Sequence, residues 1–390
     1  MNKKIRIDNL KQTFNNIFGF IPTDTFISPG RIELLGNHTD HNNGKVLVSS
    51  VDLNIMAVTS KRNDNKVIFH SKGFANMELS VDDLCKRNNE EGKSIALIRG
   101  VLFKLKELGY NIGGFCVVSD STVPKGAGVS SSAAFEVLVA KIVSYYYNND
   151  SIEPFKLAQI AQFAETNYFN KPCGLLDQTG IALGGINYID FKDTNKPIIK
   201  NIKTNINGYQ FIIINTGGDH VKLTYCYSKI KDDMKLVSSY FNQEVLRNVN
   251  ENSFNKLSED IILKCGNDAY LKAKHYFEEN NRVEVAYNAL LEKDYDNFLK
   301  MMDDSGVSSY YQLKNCYVND ENELLPKALK KVKEIDPSCY SRVHGGGFAG
   351  TMLMIVRIEK LDEIRPLLHK YFGKNNVMEV KLTSQGTTRI

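Results

Sequence analysis

Residues 123–134, VPKGAGVSSSAA, restrict this chain more than any other stretch. An apolar run at 113–118 leads into them and reads as a strand. Gly126, Ala127 and Gly128 follow, then Ser130, Ser131 and Ser132, a residue type favoured at a helix N-cap. Residues 133–147 are mostly apolar, the pattern of a buried helix. Strand, glycine loop, serines and buried helix together describe an anion site. Glycine lets the backbone approach an oxyanion closely, and the free N–H groups and positive dipole end of the helix hold it. A hydroxyl in the first turn can also bind Mg²⁺. A tight turn that only caps a core helix has the same local pattern, so the rest of the chain must decide. Two known loops are excluded. Gly92-Lys93-Ser94 has Arg87 where a Walker A loop needs glycine, and Ser131 stands at the third glycine of a dinucleotide fingerprint.

Bulk properties narrow the partners. A length of 390 residues makes two domains the expectation. The formal charge is only +4, and the densest lysines (Lys327, Lys330, Lys331, Lys333) have helical spacing. That describes a solvated helix face rather than a nucleic-acid patch, while a small positive excess suits a nucleotide. Seven cysteines at irregular spacing, with no CxxC pair, argue against a disulfide framework and against zinc. The first residues lack the apolar core of a signal peptide, and no run of about 18 apolar residues exists. The expectation is a cytoplasmic protein with neither nucleic acid nor membrane as partner.

Upstream, residues 1–20 read as a short amphipathic helix with Leu10, Phe14, Ile17 and Phe18 on one side. Residues 26–44, FISPGRIELLGNHTDHNNG, open as a strand, turn at Gly36, pass through a dense polar cluster and turn again at Asn43-Gly44. Separate strands are expected at 46–49 and 55–59. Asn37, His38, Asp40, His41 and Asn42 are far more polar groups than a turn needs. A metal site is one reading, but no third histidine or cysteine is near. Donors and acceptors for a polyhydroxylated ligand are the other, with a merely solvated loop as the plain alternative.

Downstream, residues 154–168 read as an amphipathic helix with Glu165 at the edge of its apolar stripe, a rim residue or a cation ligand. Lys171-Pro-Cys-Gly-Leu-Leu-Asp-Gln178 then places Asp177 among apolar neighbours. A carboxylate there needs a partner. Arg31 is the candidate, and such a pair would keep Asp177 ionised. The pattern loses periodicity near 195–208, which sets expected domains of 1–203 and 204–390. Helices are expected to dominate 224–335. Gly345, Gly347 and Gly350 fit GxGxxG, but only about forty residues follow, too few for a Rossmann unit. A second close-approach turn near a ligand fits better.

Three motifs now stand in order: PGRIELLGNHTDHNNG, PKGAGVSSSAA and HGGGFAG. With PCGLLDQ between them, they resemble the GHMP small-molecule kinases, and within these the galactokinases. The resemblance spans essentially the whole chain. It implies an α+β, two-domain fold with a ribosomal-protein-S5-like N-terminal domain, a C-terminal GHMP domain, and a sugar 1-kinase site using ATP and Mg²⁺. It implies Ser132 and Glu165 as Mg²⁺ ligands, and Asp177 as the acid that takes or orients the proton of the C1 hydroxyl. Arg31 would lie between that hydroxyl and the γ-phosphate. Lys125, Gly126, Ala127, Gly128, Val129, Ser130, Ser131 and Ser132 would form the phosphate loop, and Asn37, His38, Asp40, Gly174 and Tyr225 would contact the sugar.

Two departures qualify the expectation. Asn37 stands where the family has a glutamate on the sugar's 6-hydroxyl, which admits galacturonate or another C6-modified galactose beside galactose itself. Glu33 replaces an asparagine two residues from Arg31, on the same strand face, so it could re-pair that arginine. A non-catalytic sugar and ATP sensor on the same fold is the rival from another class, and the expected assembly is a monomer or weak oligomer.

Overall fold

The computed structural model describes residues 3–123, 128–204, 206–217, 224–319, 323–348 and 350–390. Helix α1 (Lys3–Phe18) buries Leu10 and Phe14 against one face of a sheet, where they meet Ile27, Met56 and Val58. The sheet starts with β1 (Asp24–Leu35), β2 (Lys45–Lys61), β3 (Lys66–Ser71) and β4 (Met77–Ser80). Helix α2 (Ser94–Glu107) leads to β5 (Phe115–Ser121). Then come α3 (Ser131–Asn148), α4 (Pro154–Phe163), α5 (Leu176–Leu183), β6 (Ile186–Asp190) and β7 (Ile198–Ile202).

The chain next enters a second sheet with β8 (Tyr209–Gly217). A helical stretch follows: α6 (Thr224–Tyr240), α7 (Glu251–Lys256), α8 (Ser258–Cys265), α9 (Asn267–Glu292), α10 (Tyr295–Ser308) and α11 (Leu324–Ile335). Strands β9 (Tyr340–Val343) and β10 (Gly350–Arg357), helix α12 (Leu361–Phe372), β11 (Val377–Val380) and β12 (Thr388–Arg389) complete it.

In the first sheet the order is β12-β1-β2-β5-β3-β4, with β6 joining β2 to β7. The two strands expected at 46–49 and 55–59 are one, because β2 serves two neighbours on one side. Its first part pairs with β6 and its last part with β5, while β1 follows it along the other side. Strand β1 is buried throughout, so its sequence lacks clean alternation. The second sheet, β11-β8-β10-β9, is antiparallel. Ile212 and Ile214 face α11 and α12, whereas Ile213 faces α9, α10 and Ile32, Leu34 and Leu47 of the first sheet. One apolar core thus joins the two sheets below the site.

The architecture is α+β, as expected. No helix among the described residues is long and apolar enough to cross a membrane.

Candidate active site

Backbone geometry at the start of α3 assembles the first cluster. Gly128 has φ +68°, and Ser130 follows at φ 57°, a left-handed conformation uncommon for a residue with a Cβ. Ser130 is the N-cap of α3 but makes no side-chain capping bond. Its hydroxyl instead donates to Asp177 Oδ2. The capping role expected from sequence is therefore replaced by a contact to the acid. Arg31 Nε donates to Asp177 Oδ1 at 2.7 Å, and its Nη1 donates to the Gly128 carbonyl. The Arg31 backbone N–H reaches the carbonyl of buried Val129 at 3.3 Å. Asp177 sits in the first turn of α5, where the helix dipole favours an anion. Burial would raise its pKa, but the charge and hydrogen bond of Arg31, with the Ser130 hydroxyl, hold it below the usual carboxylate range. His344 Nε2 lies 3.4 Å from Arg31 Nη1. Burial and the two arginines beside it drive the imidazole pKa well down, so His344 is neutral there.

A second cluster adjoins the first. Ser132, in the first turn of α3, donates to Glu165 Oε1 at 2.8 Å. Glu165 lies on a π-helical turn, residues Ala164–Tyr168, where α4 ends. A uniform helix over 154–168 was expected; the wider turn is a device frequent at functional sites. Gln178 Nε2 holds Glu165 Oε2 at 2.7 Å, and Lys171 Nζ lies 2.8 Å from Oε1. One turn beyond Ser132, Glu136 is fully buried, and neither of its carboxylate oxygens is hydrogen-bonded among the described residues. Burial, then repulsion from Glu165, raises its pKa far above the ordinary value. A hydroxyl and a carboxylate converging this closely are hard oxygen ligands of the kind Mg²⁺ takes. That ion needs only one or two protein ligands beside phosphate and water. The described residues hold no group of three or more His, Cys, Asp or Glu suited to a metal, so Ser132 and Glu165 are the pair that would hold the ion, with water or phosphate completing its shell.

The polar loop after β1 forms the third part. Asp40 rests on Gly174: a Cβ there would lie 1.8 Å from Asp40 Oδ2, so only glycine admits the carboxylate. Asp40 Oδ1 accepts from the His41 N–H at 2.9 Å. Burial and the charge of Asp177 raise its pKa to about 6. His38 Nε2 meets the Gly346 carbonyl at 3.0 Å, and the His38 and His41 rings meet edge-on. Burial lowers His41 to about 3. Its Nδ1 faces the Asn42 amide at 3.0 Å while its buried Nε2 has no partner among the described residues.

Helix α9 clamps this loop from below. Glu279 Oε1 accepts from the backbone N–H groups of Gly36 and Asn37, at 2.8 and 3.2 Å, and His275 Nε2 meets the Asn37 carbonyl at 2.9 Å.

Three sequence expectations are corrected here. Asn37 is buried, and its side chain is consumed by protein. Its Nδ2 donates to Glu33 Oε1 at 2.9 Å and to the Gly345 carbonyl at 2.8 Å, and its Oδ1 accepts from Asn315 at 2.8 Å. It is a strut, and the argument for a C6-modified sugar drawn from its missing charge falls with that. Glu33 does not re-pair Arg31, because Arg342 of β9 takes it at 2.7 Å. Tyr225, expected on the sugar, is 75% exposed. Two positions on, and so on the other side of α6, Tyr227 packs on Gly346 and donates to the Gly347 carbonyl at 3.1 Å.

The structure thus brings together Arg31, Asp177, Gly128, Val129, Ser130, Ser132 and Glu165, with His38, Asp40 and Gly174 beside them. Ser131 opens α3 between the two serines that bind carboxylates. Lys125, Gly126 and Ala127 lie outside the described residues. Lys171, Gln178, Tyr227, Arg342 and His344 were missed as site or support residues. Lys171 and Gln178 stood in view within the KPCGLLDQ block and His344 at the head of HGGGFAG, but no local signal marked Tyr227 or Arg342.

Solved structures share this architecture. Mevalonate kinase of Methanococcus jannaschii superposes with a TM-score of 0.64 at 16% identity, covering 92% of this chain and 98% of that one. The galactokinase of Lactococcus lactis complexed with galactose superposes with a TM-score of 0.84 at 23% identity, covering 98% and 100%. The model of the GHMP kinases N terminal domain matches residues 96–185. Fold and site together define a GHMP-type kinase. The galactokinase galactose-binding signature matches residues 12–61, across the polar loop. The galactokinase of Clostridium acetobutylicum is 30% identical over 379 residues, 94% of each chain, and that of Staphylococcus carnosus 26% identical over 378 residues, also 94% of each. The chain belongs to the galactokinase family.

Proposed function

We propose that this protein transfers the γ-phosphoryl group of ATP to the C1 hydroxyl of galactose, giving galactose 1-phosphate and ADP. The observation that carries this most directly is the doubly held Asp177, fixed by Arg31 and Ser130 between the start of α3 and the Asp40–Gly174 contact. The α3 end, whose first N–H groups have no partner within the helix, faces phosphate oxygens. His38 and Asp40 bind sugar hydroxyls, and Asp177 accepts a hydrogen bond from the C1 hydroxyl. As that oxygen forms its bond to the γ-phosphorus, the bond to the β–γ bridging oxygen breaks and ADP leaves with the electron pair. The hydroxyl proton passes to Asp177. An acid held below its usual pKa is a weak base, which suits a loose transition state in which the proton moves late and positioning dominates. Arg31, bridging Asp177 and the Gly128 carbonyl, supplies fixed positive charge where the phosphoryl group passes. Ser132 and Glu165 would hold Mg²⁺, which when bound neutralises phosphate charge.

The test is a sugar panel with coupled detection of ADP. Galactose should give the highest kcat/KM, and 1-phosphate should be the product by ³¹P NMR. Release of ADP at equal rates with and without sugar, or a product phosphorylated elsewhere, would overturn the proposal.

A further inference from the structure

Lys171 belongs to the KPCGLLDQ block and takes no part in the chemistry of Asp177 and Arg31. It follows the π turn that carries Glu165, and its backbone N–H bonds the Glu165 carbonyl at 3.0 Å. Its ammonium lies 2.8 Å from Glu165 Oε1, the same oxygen that accepts from Ser132 at 2.8 Å. The two charges are held differently. The Glu165 side chain is 2% exposed and that of Lys171 57%. Gln178 fixes the other carboxylate oxygen at 2.7 Å. Lys171 therefore reaches in from the open side onto an immobile anion. Glu165 first, and Asp177 further off, both hold it in its charged form. Its charge also acts on the Tyr227 phenol. Lys171 so lies against the Ser132–Glu165 pair, with Asp177 and the tyrosine of α6 within range of its charge.

A divalent cation shared by Ser132 and Glu165 needs the oxygen that Lys171 already uses. Two cations on one oxygen repel strongly in a low-dielectric site. The carboxylate cannot move, whereas a lysine has a flexible four-carbon stem and a strongly hydrated head. In a kinase cleft, the anion that arrives beside Glu165 and Asp177 is the terminal phosphate, and the Lys171 head lies near enough to both carboxylates to feel their charge. We propose that Lys171 competes with the divalent cation for Glu165 and, once displaced, binds the γ-phosphate of the nucleotide. This rests on the reading of Ser132 and Glu165 as the cation's ligands.

Lys171→Met keeps the length of the stem and removes the charge, with Lys171→Gln as a second neutral variant should the first not fold. Calorimetric titration with Mn²⁺ alone should give about tenfold tighter binding to the neutral variant than to the parent, since a competing charge is gone. An ATP analogue with a non-hydrolysable β–γ bridge should bind the neutral variant about tenfold more weakly, as expected for one lost charge-assisted contact, while ADP is unaffected. Lys171→Arg should keep parental values in both assays. Equal Mn²⁺ affinity in parent and neutral variant overturns the competition. Equal changes for analogue and ADP overturn the γ-phosphate contact. Glu165→Gln separates the two levels: if it binds Mn²⁺ as tightly as the parent, the cation reading itself fails. If it loses Mn²⁺ while Lys171→Met gains nothing, only the role of Lys171 fails.

Discussion

Strand β1 carries two arginine–carboxylate contacts two residues apart, and they lead different lives. Arg31 meets Asp177 at 2.7 Å, and Glu33 meets Arg342 at 2.7 Å. The Asp177 side chain keeps 30% exposure and the Glu33 side chain 7%. Asp177 has a cation and a hydroxyl on its two oxygens and an ordinary carboxylate made more acidic. Glu33 is pushed up to about 7 by burial, which Arg342, Arg31 and the Asn37 amide offset only in part. Arg342 also donates to the Leu34 carbonyl at 2.6 Å, so it ties β9 to β1. The same ion pair thus acts as chemistry where a carboxylate meets solvent and as a rivet between the two sheets where it is sealed.

The largest expected effect breaks the open pair. Asp177→Asn should lower kcat by roughly 10²–10⁴-fold, the usual span for a lost proton acceptor, with sugar affinity measured by calorimetry nearly unchanged. Turnover close to the parental value would place Asp177 with Glu33 among the rivets.

Breaking the sealed pair should act on stability instead. Arg342→Met leaves Glu33 buried without its cation and should cost about 3–5 kcal/mol in urea unfolding, most of it regained in the Arg342→Met/Glu33→Met double variant. The acid also predicts a pH signature. Its folded pKa of about 7 lies above the unfolded value of about 4.3, so the native state holds the proton more tightly. Stability from this group is present below about 4.3 and is lost as pH rises through about 7. Glu33→Gln should flatten that part of the urea-midpoint profile.

A smaller effect sharpens the open side. Asp40, at about 6, should be ionised to accept from a sugar hydroxyl. The kcat/KM for galactose should fall up to about tenfold per unit below that pH, with kcat changing less, and Asp40→Asn should remove the inflection. Smallest is the backbone. Ser130→Gly and Ser130→Ala lose the same hydroxyl, but only glycine accepts the left-handed φ without strain. Glycine should be the more stable by about 1 kcal/mol in thermal unfolding.

These two regions were unequally legible in the sequence. The open cluster was partly legible in contiguous residues: a glycine loop, three serines and an apolar helix describe an anion site or a plain cap, and the four motifs in order, through their family resemblance, gave Ser132, Glu165, Asp177 and Arg31 their expected roles. Pairing Arg31 with Asp177 needed only the rule that an acid among apolar residues seeks a cation. The sealed cluster joins Glu33 to Arg342 and Asn37 to Asn315, contacts across some three hundred positions that no local pattern encodes. Asn37, set on the sugar by its polar neighbours and by the family resemblance, therefore gave no sign of its role as a strut. Tyr225 was placed on the sugar by the family resemblance alone, and the rotational phase of α6, which turns Tyr227 rather than Tyr225 inward, is fixed by packing rather than by spelling. The π turn at Glu165 was also hidden, since its residues keep an ordinary amphipathic pattern.

The two-residue strand β12 has a consequence for biosynthesis. Phe26 pairs with Arg389, the Ile390 N–H reaches the Thr25 carbonyl at 2.9 Å, and Arg389 bridges to Asp24 at 2.6 Å. A ribosome delivers β1 early and this edge partner only after more than three hundred further residues. The nascent first sheet must therefore wait with an open margin, exposed to other chains, and its closure is a late, long-range event of the slow kind.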